Sequence, residues 1–461
     1  MNQKGGIHMK TKKHRLEPLS FYDHTGIEKH LSKMAQKGWM IERITNQYWT
    51  YRKIEPQNLT FAVTYYASAS DFDADPSDKQ LGFYDYCSRN GWELACTWFQ
   101  MQIFYSSLAH PVPIDTDPVY EVKTIHNGCK ANYLKGYWIL LILGLIGFYF
   151  LLSGIIGHTL HMLSSASHLF MGMCGTLLLV LSSVELICYY TWHRRAVSKA
   201  ECGIFLDTPS TSPFQTGILV VLGIGVLLWG VDLIFGEKML MFWSAILVFS
   251  AIFGTKLLTN KVKLALKKKH VSAGANRILT VLSSFLIAFV LMSMAFTIGT
   301  ILSRQDVFEG TFKIQEPPFR IEDLNETAYD EYIIENKESS SVLVNRFGIH
   351  QRHGFDDEAS PDIPEMEYVI YTIKIPWLLN FCEDQLKRTA LLGHGDDAYL
   401  VEIHPDHWGA DRVYQVVDTN GTPLSDYVIV YGDQLIELNC NWELDDTQIS
   451  FISSKLSALN K

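Results

Sequence analysis

The densest concentration of ligating side chains lies near the C-terminus, in GHGDDAYLVEIHPDHW, which holds His394, Asp396, Asp397, Glu402, His404, Asp406 and His407. Imidazole and carboxylate together suit zinc or a similar ion, so His394, Glu402, His404 and His407 are the candidate metal ligands. Their spacing follows no helical ligand pattern, and Pro405 puts the second half in a turn. A polar turn between strands accounts for the same residues. His158, His161 and His168 form a weaker version of such a set. Several chemistries leave no trace: there is no GxxxxGK[ST] phosphate loop, no GxSxG elbow, no HExxH, and no GxGxxG between a strand and a helix. The expectation is a non-enzyme without a cofactor.

Glu185 and Asp232 are a different kind of candidate, because both lie inside long apolar runs. Charge in hydrocarbon is costly and marks function by default. Glu185 sits five residues from one end of its run and Asp232 near the opposite end of the next, so they cannot pair. Lys256 lies at the depth of Glu185 and is its candidate partner. A coupled transport path would place charge near the midplane, and none is there. Structural pairing is therefore favoured over transport.

Five runs set the frame for these residues: Gly136–Gly157, His168–Tyr190, Thr216–Phe235, Met239–Leu258 and Ile278–Leu302. Each reaches the roughly 20 apolar residues that a membrane-crossing helix needs. Lys and Arg are confined to alternate connections: Arg194, Arg195 and Lys199 in the second, and Lys261, Lys263, Lys267, Lys268, Lys269 and Arg277 in the fourth. The first connection has neither, and the third has Lys238 alone. This alternation predicts a cytoplasmic N-terminal domain and an extracytoplasmic C-terminal one. Tyr133, Tyr137, Trp138, Tyr189, Tyr190 and Trp192 fall where interfacial aromatics belong. Lys261, Lys263, Lys267, Lys268 and Lys269 are candidate contacts for lipid headgroups, although a topology signal alone would explain them.

Overall composition hides this partition. The 461 residues are 48% hydrophobic with mean hydropathy +0.06 and net charge −10. From Arg304 to Lys461 there are 30 acidic and 12 basic residues, a balance of −18 that leaves +8 for the rest. Such an acidic third excludes nucleic acid as its partner, because phosphate would be repelled. None of the eight cysteines forms a CxxC pair. Cys382 and Cys440 are the two expected outside, where a disulfide is allowed, with separate buried thiols as the default. The polar, basic start MNQKGGIHMKTKKHRLEP is not a cleavable export signal.

Two segments of the N-terminal region resemble each other: HLSKMAQKGWMIERITNQYWTYRK from His30, and FYDYCSRNGWELACTWFQMQIFYSS from Phe83. Each predicts an amphipathic helix, then Gly-Trp, a strand, a polar turn and an aromatic strand. Gly38 and Gly91 end the helices where positive φ is tolerated, and Trp39 and Trp92 open the strands. Leu59–Tyr66 predicts a strand between the units, and His14–Leu16 a short one before them. A ferredoxin-like sheet with helices on one face fits this order. The four tryptophans Trp39, Trp49, Trp92 and Trp98 read as core packing rather than a stacking platform. The helix-KGW-strand-strand pattern, its GWE copy and the PIDTD stretch near Ile114 resemble a bacterial membrane-protein family catalogued as domain of unknown function 2812. The resemblance implies this domain followed by several spans, in a bacterium, and brings no activity or functional residues with it.

The C-terminal region predicts strands at Tyr368–Ile375, Tyr399–Ile403, Val413–Val417, Tyr427–Tyr431 and Leu435–Leu438. Helices are predicted at Leu378–Leu391 and in the closing DDTQISFISSKLSAL. The expected fold is thus an α-helical membrane bundle of five spans flanked by two small α+β domains. Its parts are a flexible N-terminus 1–14, a cytoplasmic α+β domain 15–130, the spans within 136–302, an acidic linker 303–365 and an extracytoplasmic α+β domain 366–461. The expected partners are the lipid bilayer and a protein engaging either soluble domain. The expected role is a multi-pass protein of the cell membrane that links the two domains, as a sensor, regulatory or accessory subunit. A transporter or transport-complex component is the second reading, and an extracytoplasmic metal-dependent enzyme the third.

Overall fold

The computed structural model describes residues 12–45, 48–235, 239–304, 316–325, 332–353, 363–392, 394 and 398–459. Most of the expected flexible start, together with Asp396 and Asp397, lies outside them. The chain divides into two compact units: Met1–Ile146, Gly175–Ile224 and Trp243–Ile301 form one, and Gly147–Cys174, Gly225–Phe242 and Leu302–Lys461 the other.

The first unit opens with β1 (Lys12–Arg15), α1 (His24–Gln36), β2 (Trp39–Ile44) and β3 (Trp49–Lys53). The same order then recurs as β4 (Thr60–Tyr65), α2 (Asp78–Arg89), β5 (Glu93–Trp98) and β6 (Met101–Ser106). Each set makes its own antiparallel three-stranded sheet with the last strand central, β1-β3-β2 and β4-β6-β5. The repeat is therefore one strand longer at its front than the sequence pattern indicated. It also replaces the ferredoxin-like arrangement, because the strands pair into two three-stranded sheets rather than one four-stranded sheet.

Local chemistry is repeated along with the topology. The Asp23 carboxylate accepts from the Gly26 N–H at 2.9 Å to cap α1, and the Ser77 hydroxyl accepts from the Gln80 N–H at 3.3 Å to cap α2. Gly38 (φ +80°) and Gly91 (φ +81°) turn the chain after each helix. Both following strands carry a register shift, between Ile41 and Arg43 and between Leu94 and Cys96, where an extra residue bends and twists the strand. Ile27, Leu31, Met34 and Ala35 bury one face of α1 in the main core with Trp49, while Trp92 fills a smaller core with Cys87 and Phe104. Trp92 donates its Nε1–H to the Val112 carbonyl at 2.8 Å, and Trp39 is half-buried beneath the Lys13 ammonium. These tryptophans pack the domain, as their spacing suggested.

A further helix, α3 (Pro118–Ala131), is capped by Asp117 and leads into α4 (Tyr133–Gly157). There follow α5 (Thr159–Ser164), α6 (Ala166–Ala200), α7 (Ser212–Phe235), α8 (Met239–Lys268) and α9 (Ala273–Arg304). Five of these are long and apolar enough to cross a membrane, with mean hydropathies from 1.6 to 2.6. They are consistent with a multi-pass membrane protein. In the first unit α4 and α6 approach at Gly144, where a Cβ would fall 2.6 Å from the Leu179 backbone nitrogen.

The second unit is built on α10 (Ile321–Leu324), β7 (Ile333–Ser340), β8 (Val344–Arg352), β9 (Met366–Ile373), α11 (Leu379–Ala390), β10 (Tyr399–Ile403), β11 (Arg412–Val417), β12 (Pro423–Tyr431), β13 (Gln434–Cys440) and α12 (Asp446–Leu459). Its seven strands form one antiparallel sheet in the order β10-β11-β12-β13-β9-β8-β7. Residues 303–365 are thus more than a linker. They supply two strands, and Phe319 and Ile321 enter the core. Edge strand β7, IIENKESS, carries charge at a half-exposed position in the sheet, so its hydropathy is low although it is fully paired. One face of the sheet packs Ile370, Ile429 and Ile436 against Trp408 and against Ile452 and Leu456 of α12. The other packs Val369, Tyr371, Val428 and Leu435 against Cys382 and Leu386 of α11 and Leu160 of α5. Cys440 belongs to the first face and Cys382 to the second, and both are buried free thiols.

Candidate functional site

In the first unit the segment between β1 and α1, Glu17–His24, is built into the ends of the apolar helices. Glu185 of α6 is fully buried. Its Oε2 accepts from the Ser20 hydroxyl at 2.7 Å and the Tyr133 hydroxyl at 2.6 Å, and its Oε1 from the Gln215 amide at 2.7 Å. Gln215 also donates to Ser20 at 2.8 Å, and Thr211 lies 2.6 Å from the same Ser20 hydroxyl. A buried carboxylate is tolerated only when hydrogen bonds replace its water, and bonds to a charged acceptor are worth roughly 1.5–3 kcal/mol each. Here neutral donors from the N-terminal domain, α4 and α7 converge on one acceptor. The arrangement works as a latch.

Aromatic rings surround it. Tyr22 is fully buried, with ring centroids 5.3 Å from Tyr189, 5.7 Å from Trp192 and 5.9 Å from Tyr133. Phe21 stacks on Tyr133 and meets Tyr65 and Trp98 edge-on, and the Tyr65 hydroxyl donates to the Phe21 carbonyl at 2.5 Å. Next along the chain, Asp23 accepts from the Thr208 hydroxyl at 2.6 Å, so the segment before α7 is held to the start of α1. His24 faces Glu121 at 3.4 Å. Burial pulls the imidazole pKa down, but the bond to Glu121 and the charges of Glu28 and Glu121 outweigh it, and the net shift is upward. Burial pushes the Glu28 carboxyl up to about 7, even though it accepts from the Val63 N–H at 2.8 Å. Among the described residues, the Tyr22 hydroxyl, Asp23 Oδ2 and His24 Nδ1 are buried without a hydrogen-bond partner.

A second contact joins the acidic turn DFDADPSD to the fourth connection. Asp71 takes Lys263 at 2.5 Å, Asp75 lies 3.3 Å from His270, and the Phe72 carbonyl accepts from the Asn276 amide at 2.9 Å. The lysines expected to face lipid are therefore not equivalent. Lys261, Lys263, Lys267 and Lys268 lie on α8 with Lys269 just beyond it, and Lys263 is occupied by Asp71. Lys261, Lys268 and Lys269 are exposed.

Other expected residues also find different surroundings. Lys256 is exposed, and the partners of Glu185 are instead Ser20, Tyr133 and Gln215. Asp232 is half-buried in α7. His394 pairs with Asp426 of β12 at 3.2 Å, whereas Glu402 lies on edge strand β10 and His404 and His407 flank the turn after it. No group of three or more His, Cys, Asp or Glu suited to a metal forms among the described residues. His161 and His168 meet edge to face with centroids 5.4 Å apart. Gly38 and Gly91 take positive φ, Trp92 is buried and Trp39 is half-buried.

Sequence reasoning missed Ser20, Tyr22, Asp23, Thr208, Thr211 and Gln215. The available signal was SFYDHT, a polar and aromatic segment directly before a capped helix, and the hydroxyl-rich DTPSTS before the third span. Residues 23–134 match the family model described as Protein of unknown function (DUF2812). The resemblance carried by the Gly-Trp repeat therefore holds for the N-terminal region, which is followed by the five apolar helices. No curated protein and no solved structure matches the chain.

Proposed function

We propose that this is a non-enzymatic membrane protein that ties an extracytoplasmic domain to a cytoplasmic one, as a sensor, regulatory or accessory subunit of the cell membrane. One observation carries the reading: the N-terminal domain is bonded to α4 and α6, and the C-terminal domain to α5, the short helix that connects them in sequence. On the N-terminal side, Ser20 is bonded to Glu185 of α6, beside Tyr133 of α4. On the C-terminal side, α5 lies between the same two helices in sequence. Its Leu160 enters the sheet's core, and the Ser341 hydroxyl donates to the Leu163 carbonyl at 2.5 Å. The Lys and Arg alternation supports the assignment of sides.

Hydrogen exchange on the purified full-length protein tests the coupling. Leu160→Ala removes a buried side chain from the C-terminal core at a cost of about 3 kcal/mol. The expected result is faster exchange both in β8 and β9 and in residues 17–26. Faster exchange confined to the C-terminal domain, with residues 17–26 unchanged, would remove the support for a linking role. A transporter would instead show solute flux in proteoliposomes that is lost in Glu185→Gln.

A further inference from the structure

The end of α6 carries a stripe that the latch does not use. Arg194, Arg195 and Lys199 lie on one helical face with the Thr191 and Ser198 hydroxyls, at the i, i+1, i+4 and i+5 spacing that puts side chains side by side. They line an open groove of about 720 Å³, whose apolar walls come from Tyr190 and Leu206. Leu206 reaches the groove because the chain reverses at Gly203 (φ +75°), where the Gly203 N–H donates to the Ala200 carbonyl at 2.8 Å and the Ile204 N–H to the Lys199 carbonyl at 3.0 Å. Trp192 donates its Nε1–H to the Leu206 carbonyl at 3.5 Å and holds the returning strand.

Charge and depth together identify what fits. Two other cations of this unit meet carboxylates, Lys263 with Asp71 and Lys29 with Asp207. Among the described residues no carboxylate pairs with Arg194, Arg195 or Lys199, so the groove holds three uncompensated positive charges. Its upper rim is Tyr190, bonded to the Trp138 indole of the aromatic belt at 3.4 Å. Arg194 lies one turn, roughly 6 Å, beyond that belt at the helical rise, which is the depth of lipid phosphates. Ile187, one turn before Tyr190 toward the apolar part of α6, presents an exposed apolar side chain where an acyl chain would run. We infer that this groove binds the phosphate of an anionic phospholipid, with the two guanidiniums and the Lys199 ammonium on the phosphate and the Ser198 hydroxyl beside the headgroup.

The test uses the full-length protein in phosphatidylcholine nanodiscs with added phosphatidylglycerol, with retained lipid counted by native mass spectrometry. The wild type is expected to retain phosphatidylglycerol at least about tenfold over phosphatidylcholine, since each cation near the surface contributes substantially to anionic-lipid attraction. The combined variant Arg194→Gln, Arg195→Gln, Lys199→Gln should lose that preference, and Lys261→Gln, Lys268→Gln, Lys269→Gln should keep it. Excess inorganic phosphate should not displace the lipid. The inference is overturned by a wild type without preference, by a triple variant that keeps it, or by inorganic phosphate displacing the lipid as well as added phosphatidylglycerol does. If the triple variant does not fold, Lys199→Gln alone must lower the preference, and an unchanged preference overturns the inference equally.

Discussion

At the residue scale, Glu185 decides how firmly the N-terminal domain is held. Removing the carboxylate takes away the acceptor that Ser20, Tyr133 and Gln215 share, and each buried donor left unsatisfied costs roughly 1–3 kcal/mol. Glu185→Ala should therefore expose residues 17–26 to protease in detergent-solubilised protein. Glu185→Gln should do so less, because the Gln215 amide can turn and offer its oxygen. The neighbouring His24 and Glu28 make the same region pH-sensitive. The pKa of His24 is raised from its ordinary 6.5, so its contribution is complete below about pH 6.5 and is lost as pH rises through the folded value. The Glu28 pKa rises from 4.5 to about 7, so the unfolded chain ionises first and stability falls from about pH 4.5 until it levels above pH 7. Both act in one direction. Thermal unfolding followed by tryptophan fluorescence should show the domain weakening between pH 5 and 8, and Glu28→Gln should flatten that dependence.

At the element scale, the two helix–Gly-Trp turns look alike but differ in what surrounds them. A Cβ on Gly38 would lie 2.9 Å from the Ile54 carbonyl oxygen, which is backbone. A Cβ on Gly91 would meet only the Leu108 side-chain tip, at 2.7 Å. Left-handed backbone costs an ordinary residue about 1–2 kcal/mol. Gly91→Ala should therefore destabilise by about 1 kcal/mol, and Gly38→Ala by about 2 kcal/mol or more, in the same unfolding assay. These turns were legible in the sequence because a helix stop and a strand start are set by adjacent residues. The five long helices were legible for a similar reason: their composition is local. Edge strand β7 was not, because charge on a paired edge strand conceals the pattern, and β8 beside it interrupts its apolar residues with Asn345, Arg346 and Gln351. The latch was least legible of all, since Ser20 meets a carboxylate 165 residues away in the chain and no spacing announces it.

At the scale of the whole molecule, the five apolar helices carry a folded domain at each end of the sequence, and each domain is bonded into helix ends or a helix connection. The aromatic and hydroxyl contacts around Glu185 argue against an N-terminal domain tethered by a free linker. The proposed function depends most on the two domains facing opposite sides of the membrane, which the Lys and Arg alternation predicts. Lys79 on α2 and Thr419 in the turn between β11 and β12 are both exposed, and Cys202 is the exposed native thiol. In a Cys202→Ser background, intact cells carrying Lys79→Cys or Thr419→Cys can be treated with a membrane-impermeant maleimide before and after permeabilisation. The account predicts that Thr419→Cys labels on intact cells and that Lys79→Cys labels only after permeabilisation. Labelling of both positions on intact cells, or of neither until permeabilisation, would contradict it.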